Sequence, residues 1–201
     1  MGRHEDFLDE HVPASGDVAV DVGASTGEYA RLLADRFQSV VAVEPHPAGA
    51  MALRGLAAHR QHVTVIEAAA ADADGRAELY EMPGDRGIGL SSLHSKHPLW
   101  GHVGRPRGPV RILRLDSLTI AGRVDFLKID TEGWEVPALT GAMRLVARCR
   151  PKILVEEHAL GDLDLVAGTL DPLGYSFLIV TRPGRERALA WLVATPKGGR
   201  P

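Results

Sequence analysis

Runs of apolar residues alternate along the chain with amphipathic segments, and this alternation is the main guide to the fold. Short apolar runs rich in β-branched residues predict strands over 18–22, 39–43, 63–68, 124–129 and 153–156. Segments with apolar residues at helical spacing predict helices over 28–37, 47–59, 136–146 and 162–170. Strands that alternate with helices form a parallel sheet covered on both faces. We therefore expect an α/β fold.

The regular pattern weakens in the middle of the chain. A turn signal at Asp74-Gly75 precedes an alternating, edge-like strand over 76–81. Residues 82–109 are rich in Gly, Pro, His and Arg and show no strand or helix pattern before it resumes over 110–115. A segment of this length in a compact domain is usually functional or disordered. The pattern alone therefore leaves two interpretations of 82–109, a functional segment and a solvated surface insertion.

Two further apolar runs end the chain. They cover 175–180 and 188–194, separated by Arg182-Pro183-Gly184-Arg185, and this arrangement predicts an antiparallel hairpin. A mostly parallel sheet with a C-terminal hairpin indicates the Rossmann-like α/β fold of class I methyltransferases.

Composition narrows the class of protein. The chain has 201 residues, of which 45% are hydrophobic and 24% charged, which predicts one globular domain over 1–201. A net charge of -3 argues against a nucleic-acid partner. A single cysteine, Cys149, rules out an intramolecular disulfide. The charged N-terminus and the lack of a long apolar segment predict a cytoplasmic protein with no membrane span.

The first predicted strand runs into a glycine loop, Asp21-Val22-Gly23-Ala24-Ser25-Thr26-Gly27. Ser25 stands where a dinucleotide-binding loop has its middle glycine, and Asp21 adds an acid that suits a cationic ligand better than a pyrophosphate. S-adenosylmethionine (SAM), which carries a sulfonium and an ammonium group, is such a ligand. A structural turn without a ligand is the alternative.

Other candidate cofactor residues follow the second and third predicted strands. Glu44, with Pro45 after it, ends the second strand at the spacing of a ribose-binding acid. Ala69, Ala70 and Asp72 follow the third strand. Because ligands of such sheets bind at the carboxyl ends of the strands, we predict that these residues and Asp21, Gly23, Ala24, Ser25 and Gly27 bind SAM.

Together with further motifs, these segments resemble the FkbM-type SAM-dependent O-methyltransferases. The matching motifs are DVGASTG (21–27), VVAVEPHP (40–47), EAAAADADG (67–75), SSL (91–93), LDSL (115–118), VDFLKIDTEGWE (124–135) and PKILVEEH (151–158). The resemblance implies a Rossmann-like fold and methyl transfer to a hydroxyl, often on a sugar or secondary metabolite. It also implies that Asp21, Gly23, Gly27, Glu44 and 69–72 bind the cofactor. A narrower resemblance is to small bacterial sugar O-methyltransferases, such as those of methylmannose polysaccharide synthesis.

Two predicted strand ends carry the candidate acceptor chemistry. If these strands are neighbours, Asp130 meets Glu156 and His158, a donor set that suits Mg²⁺ or Mn²⁺. Asp130 is also a candidate cofactor and catalytic residue, Lys128 a candidate catalytic residue and His158 a candidate general base. The alternatives are that Asp130 caps a turn or binds the methionine portion of SAM, that Glu156 pairs with Lys128 or an arginine, and that His158 only supports its neighbours.

The resemblance to the FkbM-type family leaves residues 82–109 as the expected acceptor-binding segment, and several polar and aromatic residues are candidates for acceptor binding. They are Ser91, Ser92, His94, Trp100 and Glu132, and the alternative for Glu132 is that it holds the turn before the next helix. An aromatic ring among hydrogen-bond donors suits a sugar, and the predicted activity is therefore O-methylation of a sugar or oligosaccharide hydroxyl, with metal assistance left open.

Three other functions remain alternatives. The acceptor could be a polyketide or phenolic hydroxyl. An NAD-binding oxidoreductase is a different class, disfavoured by the missing middle glycine and by the lack of a Tyr-x-x-x-Lys pair. A catalytically inactive binding module would have lost the acids near the acceptor, which this chain keeps. A homodimer is left open.

Overall fold

The computed structural model describes residues 10–81, 91–95, 103–157, 162–181 and 190–198, and these form two sheets with flanking helices. The strands of the large sheet are β1 (Gly16–Val22), β2 (Phe37–Val43), β3 (Val63–Ile66), β8 (Val124–Ile129), β9 (Lys152–Glu156), β10 (Tyr175–Thr181) and β11 (Ala190–Pro196). Those of the small sheet are β4 (Ala69–Ala70), β5 (Gly75–Glu81), β6 (Ser91–Ser92) and β7 (Arg105–Leu113). The α-helices are α1 (Glu28–Ala34), α2 (Pro47–His59), α3 (Glu135–Thr140), α4 (Met143–Cys149) and α5 (Asp162–Leu170). Short 3₁₀ helices cover Leu115–Ser117 and Asp171–Leu173.

The large sheet has the strand order β10-β11-β9-β8-β1-β2-β3. The pairs β9-β8, β8-β1, β1-β2 and β2-β3 are parallel, whereas β11 is antiparallel to both β9 and β10. This confirms the predicted mostly parallel sheet and its C-terminal hairpin. The sheet order changes direction between β1 and β8, so their carboxyl ends form the switch point where ligands of such folds bind.

The central strands are buried on both faces. Val18, Val20 and Leu127 contribute to the core on one face of the sheet, and Ala19 and Phe126 to the core on the other. All five are fully buried. Such continuous apolar runs are typical of parallel strands covered by helices on both sides.

The helices depart from the predicted bounds where the core requires it. The structure bears out α2, which starts at Pro47 after His46 has accepted a hydrogen bond from the Ala48 N–H (3.1 Å). Helix α1 ends at Ala34 and not near residue 37, because Phe37 starts β2 with its ring in the core.

One predicted helix is two. Residues 136–146 were expected to form a single helix, but α3 and α4 are separated at Gly141. A Cβ atom at Gly141 would overlap the carbonyl oxygen of Ala71. The close approach of these two backbones therefore explains both the glycine and the break.

The small sheet corrects two predictions. Residues 63–68 were expected to form one strand, but β3 ends at Ile66, and Ala69–Ala70 form a separate strand that pairs with β7 of the small sheet. Residues 82–109 were expected to lack regular structure, yet β6 and the first half of β7 lie within this range and pair with β5. The described residues contain no helix long and apolar enough to cross a membrane.

Candidate active site

A cavity of about 570 Å³, measured with its open mouth, lies at the carboxyl ends of β1, β2 and β8. The small sheet contributes Leu79, Ser91 and Ser92 to its wall. Predicted site residues that line the cavity are Gly23, Ser25, Glu44, Pro45, Ala69, Ala70, Ser91, Ser92, Asp130 and Glu132. Their ligand contacts remain predictions, but the fold brings them to one place.

Other predicted site residues lie elsewhere. The cavity wall does not include Asp21, Ala24, Gly27, Asp72, His94, Lys128 or Glu156. Trp100 and His158 fall outside the described residues, so their predicted roles in acceptor binding and as general base and metal ligand stay predictions.

The glycine loop is shaped by the packing of the chain on itself. Gly23 has a φ of 74°, and a Cβ atom there would overlap the carbonyl oxygen of Asp130. Gly27 has a φ of 93° and forms the N-cap of α1. Ser25 adopts a left-handed conformation with a φ of 50°, which directs its backbone N–H to Glu44. The requirement for Gly23 therefore comes from β8 and needs no ligand.

Glu44 is fixed at the end of β2 by backbone hydrogen bonds. Its Oε2 accepts from the N–H of Ser25 and its Oε1 from the N–H of His46, both at 2.8 Å. The residue is 4% exposed, and burial raises the pKa of its carboxyl to about 7 against the opposing effect of the two N–H groups. Each oxygen keeps a lone pair for a further donor.

A buried ion-pair group, consisting of Asp21, Lys128 and Asp130, lies beneath the cavity. The Lys128 Nζ is 3.3 Å from the Asp21 Oδ1 and 3.0 Å from the Asp130 Oδ2, and lies 4.6 Å from the centre of the Tyr29 ring. Burial opposes the charge on Lys128, but Asp130 and Asp21 outweigh it and raise the pKa of its ammonium. Lys128 is 1% exposed, so within this structure it acts on the cavity through Asp130.

The predicted metal ligands are not assembled in the described part of the chain. Three His, Cys, Asp or Glu side chains placed to hold a metal ion are not found among the described residues. The cation that faces Asp130 is the Lys128 ammonium, and Glu156 is buried at the end of β9, opposite Trp191 of β11. A metal role for Asp130 and Glu156 is therefore unsupported by this geometry.

The turn after β8 is held by a residue that the sequence did not single out, Glu135. Its Oε1 accepts hydrogen bonds from the N–H groups of Thr131 (3.0 Å) and Gly133 (3.1 Å) and from the Thr131 hydroxyl (3.3 Å). Glu135 is fully buried, whereas Glu132 lines the cavity in a left-handed conformation with a φ of 55°. Glu135 is therefore an acid that holds this turn through hydrogen bonds. An acid directly after Gly-Trp, at the start of a helix, was the available signal.

The outward carbonyls of the same turn anchor residues 91–95. The Ser92 hydroxyl donates to the Glu132 carbonyl (2.7 Å) and accepts from the His94 N–H (3.1 Å). His94 Nε2 carries a proton, because it lies 2.8 Å from the Gly133 carbonyl, which can only accept. The His94 ring also stands edge-on to Trp134, 4.7 Å between ring centres. His94 thus contacts both the turn and Trp134, and its acceptor binding stays a prediction.

A second link joins the two sheets beside Glu44. His46 Nδ1 accepts from the Ala48 N–H, so its Nε2 carries the proton and donates to Glu81 at 2.7 Å. Arg107 approaches the same Glu81 oxygen at 2.6 Å. This link fixes the end of β5 over the end of β2, and it was not predicted.

This architecture is the Rossmann-like class I methyltransferase fold: a mostly parallel sheet that ends in a hairpin, a cavity at its switch point and an acid at the end of β2. Residues 21–177 match the family model described as methyltransferase FkbM domain. The chain belongs to this family.

Solved structures share the fold. The methyltransferase FkbM from Methylobacillus flagellatus is 22% identical with a TM-score of 0.64, and the match covers 90% of this chain and 44% of that one. This chain thus spans less than half of that relative. The N-methyltransferase NodS from Bradyrhizobium japonicum (8% identity, 97% and 95% covered) has a TM-score of 0.59. Fibrillarin from Aeropyrum pernix (15% identity, 90% and 67% covered) has a TM-score of 0.56. No curated protein matches the chain, and the oxidoreductase alternative finds no support.

Proposed function

We propose that this chain is a SAM-dependent O-methyltransferase that methylates a hydroxyl group of a sugar or oligosaccharide. Membership of a methyltransferase family supports the reaction class. The fibrillarin structure of the same fold contains SAM, which supports the cofactor. The observation that carries the proposal is the cavity at the switch point, with Glu44 and Asp130 both in its wall.

The residues present fit SAM. Glu44 keeps lone pairs on both oxygens and lies where the fold places a ribose-binding acid, so it would accept hydrogen bonds from the two ribose hydroxyls. Asp130 supplies a carboxylate suited to a cationic ligand, and it lines the same cavity as Glu44. When bound, SAM supplies an electrophilic methyl group.

The chain's own contribution is alignment of the acceptor. The anchored turn after β8 and residues 91–95 form one connected wall, so an acceptor bound against it would be held in a fixed orientation. Orientation of two reactants is among the largest contributions to catalysis. Removal of the hydroxyl proton stays assigned to His158 as a prediction.

The wall favours a polyhydroxylated acceptor over a flat apolar one. Hydroxyl groups of Ser91 and Thr131 and the carboxyl of Glu132 belong to lining residues, and the Trp134 ring offers an apolar surface beside them. Sugars combine hydroxyl groups with apolar ring faces in the same way. Leu79 and Leu93 also line the cavity and keep a polyketide or phenolic acceptor as the second candidate.

Calorimetric titration with SAM and with NAD tests the cofactor assignment. We expect SAM to bind and NAD not to bind; a protein that folds but does not bind SAM would refute the proposed function. Radiolabelled methyl transfer to a panel of sugars, oligosaccharides and phenols then tests the acceptor class. Labelling of phenols alone would replace the sugar by the second candidate.

A further inference from the structure

The Asp21, Lys128 and Asp130 group places one ammonium between two carboxyl groups, and only Asp130 of the three lines the cavity. The side chains of Asp21 and Lys128 are 0% and 2% exposed, whereas that of Asp130 is 22% exposed. Burial raises the pKa of the Asp21 carboxyl, and the neighbouring Lys128 ammonium opposes that effect. The carboxyl of Asp130 is the part of the group that a ligand in the cavity can meet.

Lys128 keeps this carboxyl in place. Its Nζ donates a hydrogen bond to the Asp130 Oδ2 at 3.0 Å, and the ammonium is itself held by Asp21 and by the face of the Tyr29 ring. The same ammonium lies 3.3 Å from the Asp21 Oδ1, so its contacts are divided between two carboxyl groups. Lys128 is therefore a positioning residue, and Asp130 presents a fixed negative charge to the cavity.

A fixed negative charge distinguishes the cofactor from its product. Methyl transfer breaks the bond between methyl carbon and sulfur, and because the electron pair stays on sulfur, the sulfonium becomes the neutral thioether of S-adenosylhomocysteine (SAH). The methyl carbon forms its new bond with the acceptor oxygen, and the hydroxyl proton leaves to a base. Ribose, adenine and the amino acid portion are the same in both molecules.

On the basis of the proposed function, we propose that Asp130, held by Lys128, gives the site a preference for SAM over SAH. The attraction between Asp130 and the cofactor weakens once the sulfonium is lost, while the protein side of the site stays unchanged. The same charge thus favours binding of the methyl donor and release of the spent product.

The test compares two ligands on three proteins by calorimetry, and no acceptor is needed. Asp130→Asn removes the charge with little change in shape and is expected to shift the ratio of the SAH and SAM dissociation constants by about tenfold toward SAH. Glu44→Gln is the matched control: ribose is common to both ligands, so both affinities fall together and the ratio stays near the wild-type value. Asp130→Glu keeps the charge and is expected to retain most of the preference.

The outcomes separate the inference from the proposed function. If the wild type binds neither ligand, the proposed function fails. If both ligands bind and Asp130→Asn leaves their ratio within about twofold of the wild type, only the inference on charge is wrong. Thermal unfolding checks that the variants fold, and Asp130→Ser provides a second neutral variant if Asn is not tolerated. A ratio shifted as much by Glu44→Gln as by Asp130→Asn would also overturn the inference.

Discussion

Glu135→Ala is the substitution that tests most directly how the cavity wall is built. The side chain is fully buried, and a single oxygen accepts hydrogen bonds from two backbone N–H groups and one hydroxyl. Hydrogen bonds to an ionised acceptor contribute about 1.5–3 kcal/mol each. Thr131 and Gly133 are only half-buried, so water replaces part of the loss. We expect the free energy of unfolding to fall by about 3 kcal/mol, which is below the sum of about 4.5–9 kcal/mol for three such hydrogen bonds.

Asp116→Ala is the matched control for this loss. Its carboxyl also accepts two backbone hydrogen bonds, from Leu145 (2.8 Å) and Arg144 (3.0 Å), but it lies away from the cavity. Thermal denaturation is expected to show a lower Tm for both variants, by roughly 6–12 °C for Glu135→Ala at 2–4 °C per kcal/mol. Asp116→Ala should therefore reproduce the loss of stability without a change in the cavity.

Calorimetry separates the two variants. In Glu135→Ala the turn that bears Thr131, Glu132 and Trp134 loses the hydrogen bonds to Glu135. We therefore expect SAM to bind at least about tenfold more weakly. In Asp116→Ala the dissociation constant should stay at the wild-type value, and Glu135→Gln, which keeps an acceptor oxygen, should lie between. If SAM has the same dissociation constant for Glu135→Ala and for the wild type, the Glu135 hydrogen bonds do not shape the binding site.

Four further predictions concern Glu44, the glycine loop and the metal. Burial raises the pKa of Glu44 to about 7, and ribose hydroxyls donate hydrogen bonds to its ionised form. SAM should therefore bind about tenfold more weakly near pH 6 than near pH 8, and Glu44→Gln should remove this difference. The native state binds the proton of the Glu44 carboxyl more tightly than the unfolded chain does, so the contribution of Glu44 to the free energy of unfolding falls as the pH rises from 4.5 to about 7. Denaturant titrations of Glu44→Gln and of the wild type measure this contribution. Gly23→Ala should lower the free energy of unfolding by about 2 kcal/mol more than Gly27→Ala, since only the former drives a Cβ into a backbone carbonyl; equal losses in denaturant titration would contradict this. Methyl transfer should withstand EDTA because the Lys128 ammonium already faces Asp130, and a chelator-sensitive activity restored by Mg²⁺ or Mn²⁺ would reinstate the metal.

The hydrophobic pattern predicted the bounds of a strand or helix correctly where the whole segment lies in one kind of environment. The strand over 124–129 and the helices over 47–59 and 162–170 have the predicted bounds, because a buried strand is apolar throughout and a capped helix begins at a proline or an acid. The pattern failed where pairing partners are distant in sequence. Arg-Pro-Arg-Gly-Pro at 105–109 has a poor strand composition, yet β5 pairs with it across the small sheet.

The residues of the candidate site also fall into those that the sequence could place and those that depend on distant contacts. Residues that follow strands, such as Glu44 and Asp130, could be placed at one edge of the sheet from the strand order expected of the fold. The role of Glu135 could not, because it depends on which backbone N–H groups the turn points inward. The alternation of side chains along a strand correctly predicted that Lys128 and Asp130 point to the same side. It could not predict that Lys128 is buried, because the burial depends on Tyr29 and Asp21, which lie on other elements.

The turn at 130–135 is where the parts of this site are joined. On one side, the Asp130 carbonyl leaves room only for glycine at position 23, so the glycine loop packs directly against it. On the other side, the carbonyls of Glu132 and Gly133 accept hydrogen bonds from Ser92 of the small sheet and from His94 after it. A displacement of this turn would therefore move the glycine loop, the Asp130 carboxyl and residues 91–95 together. The position of this turn between three parts of the site explains why a buried acid, Glu135, accepts three hydrogen bonds from donors within residues 131–133.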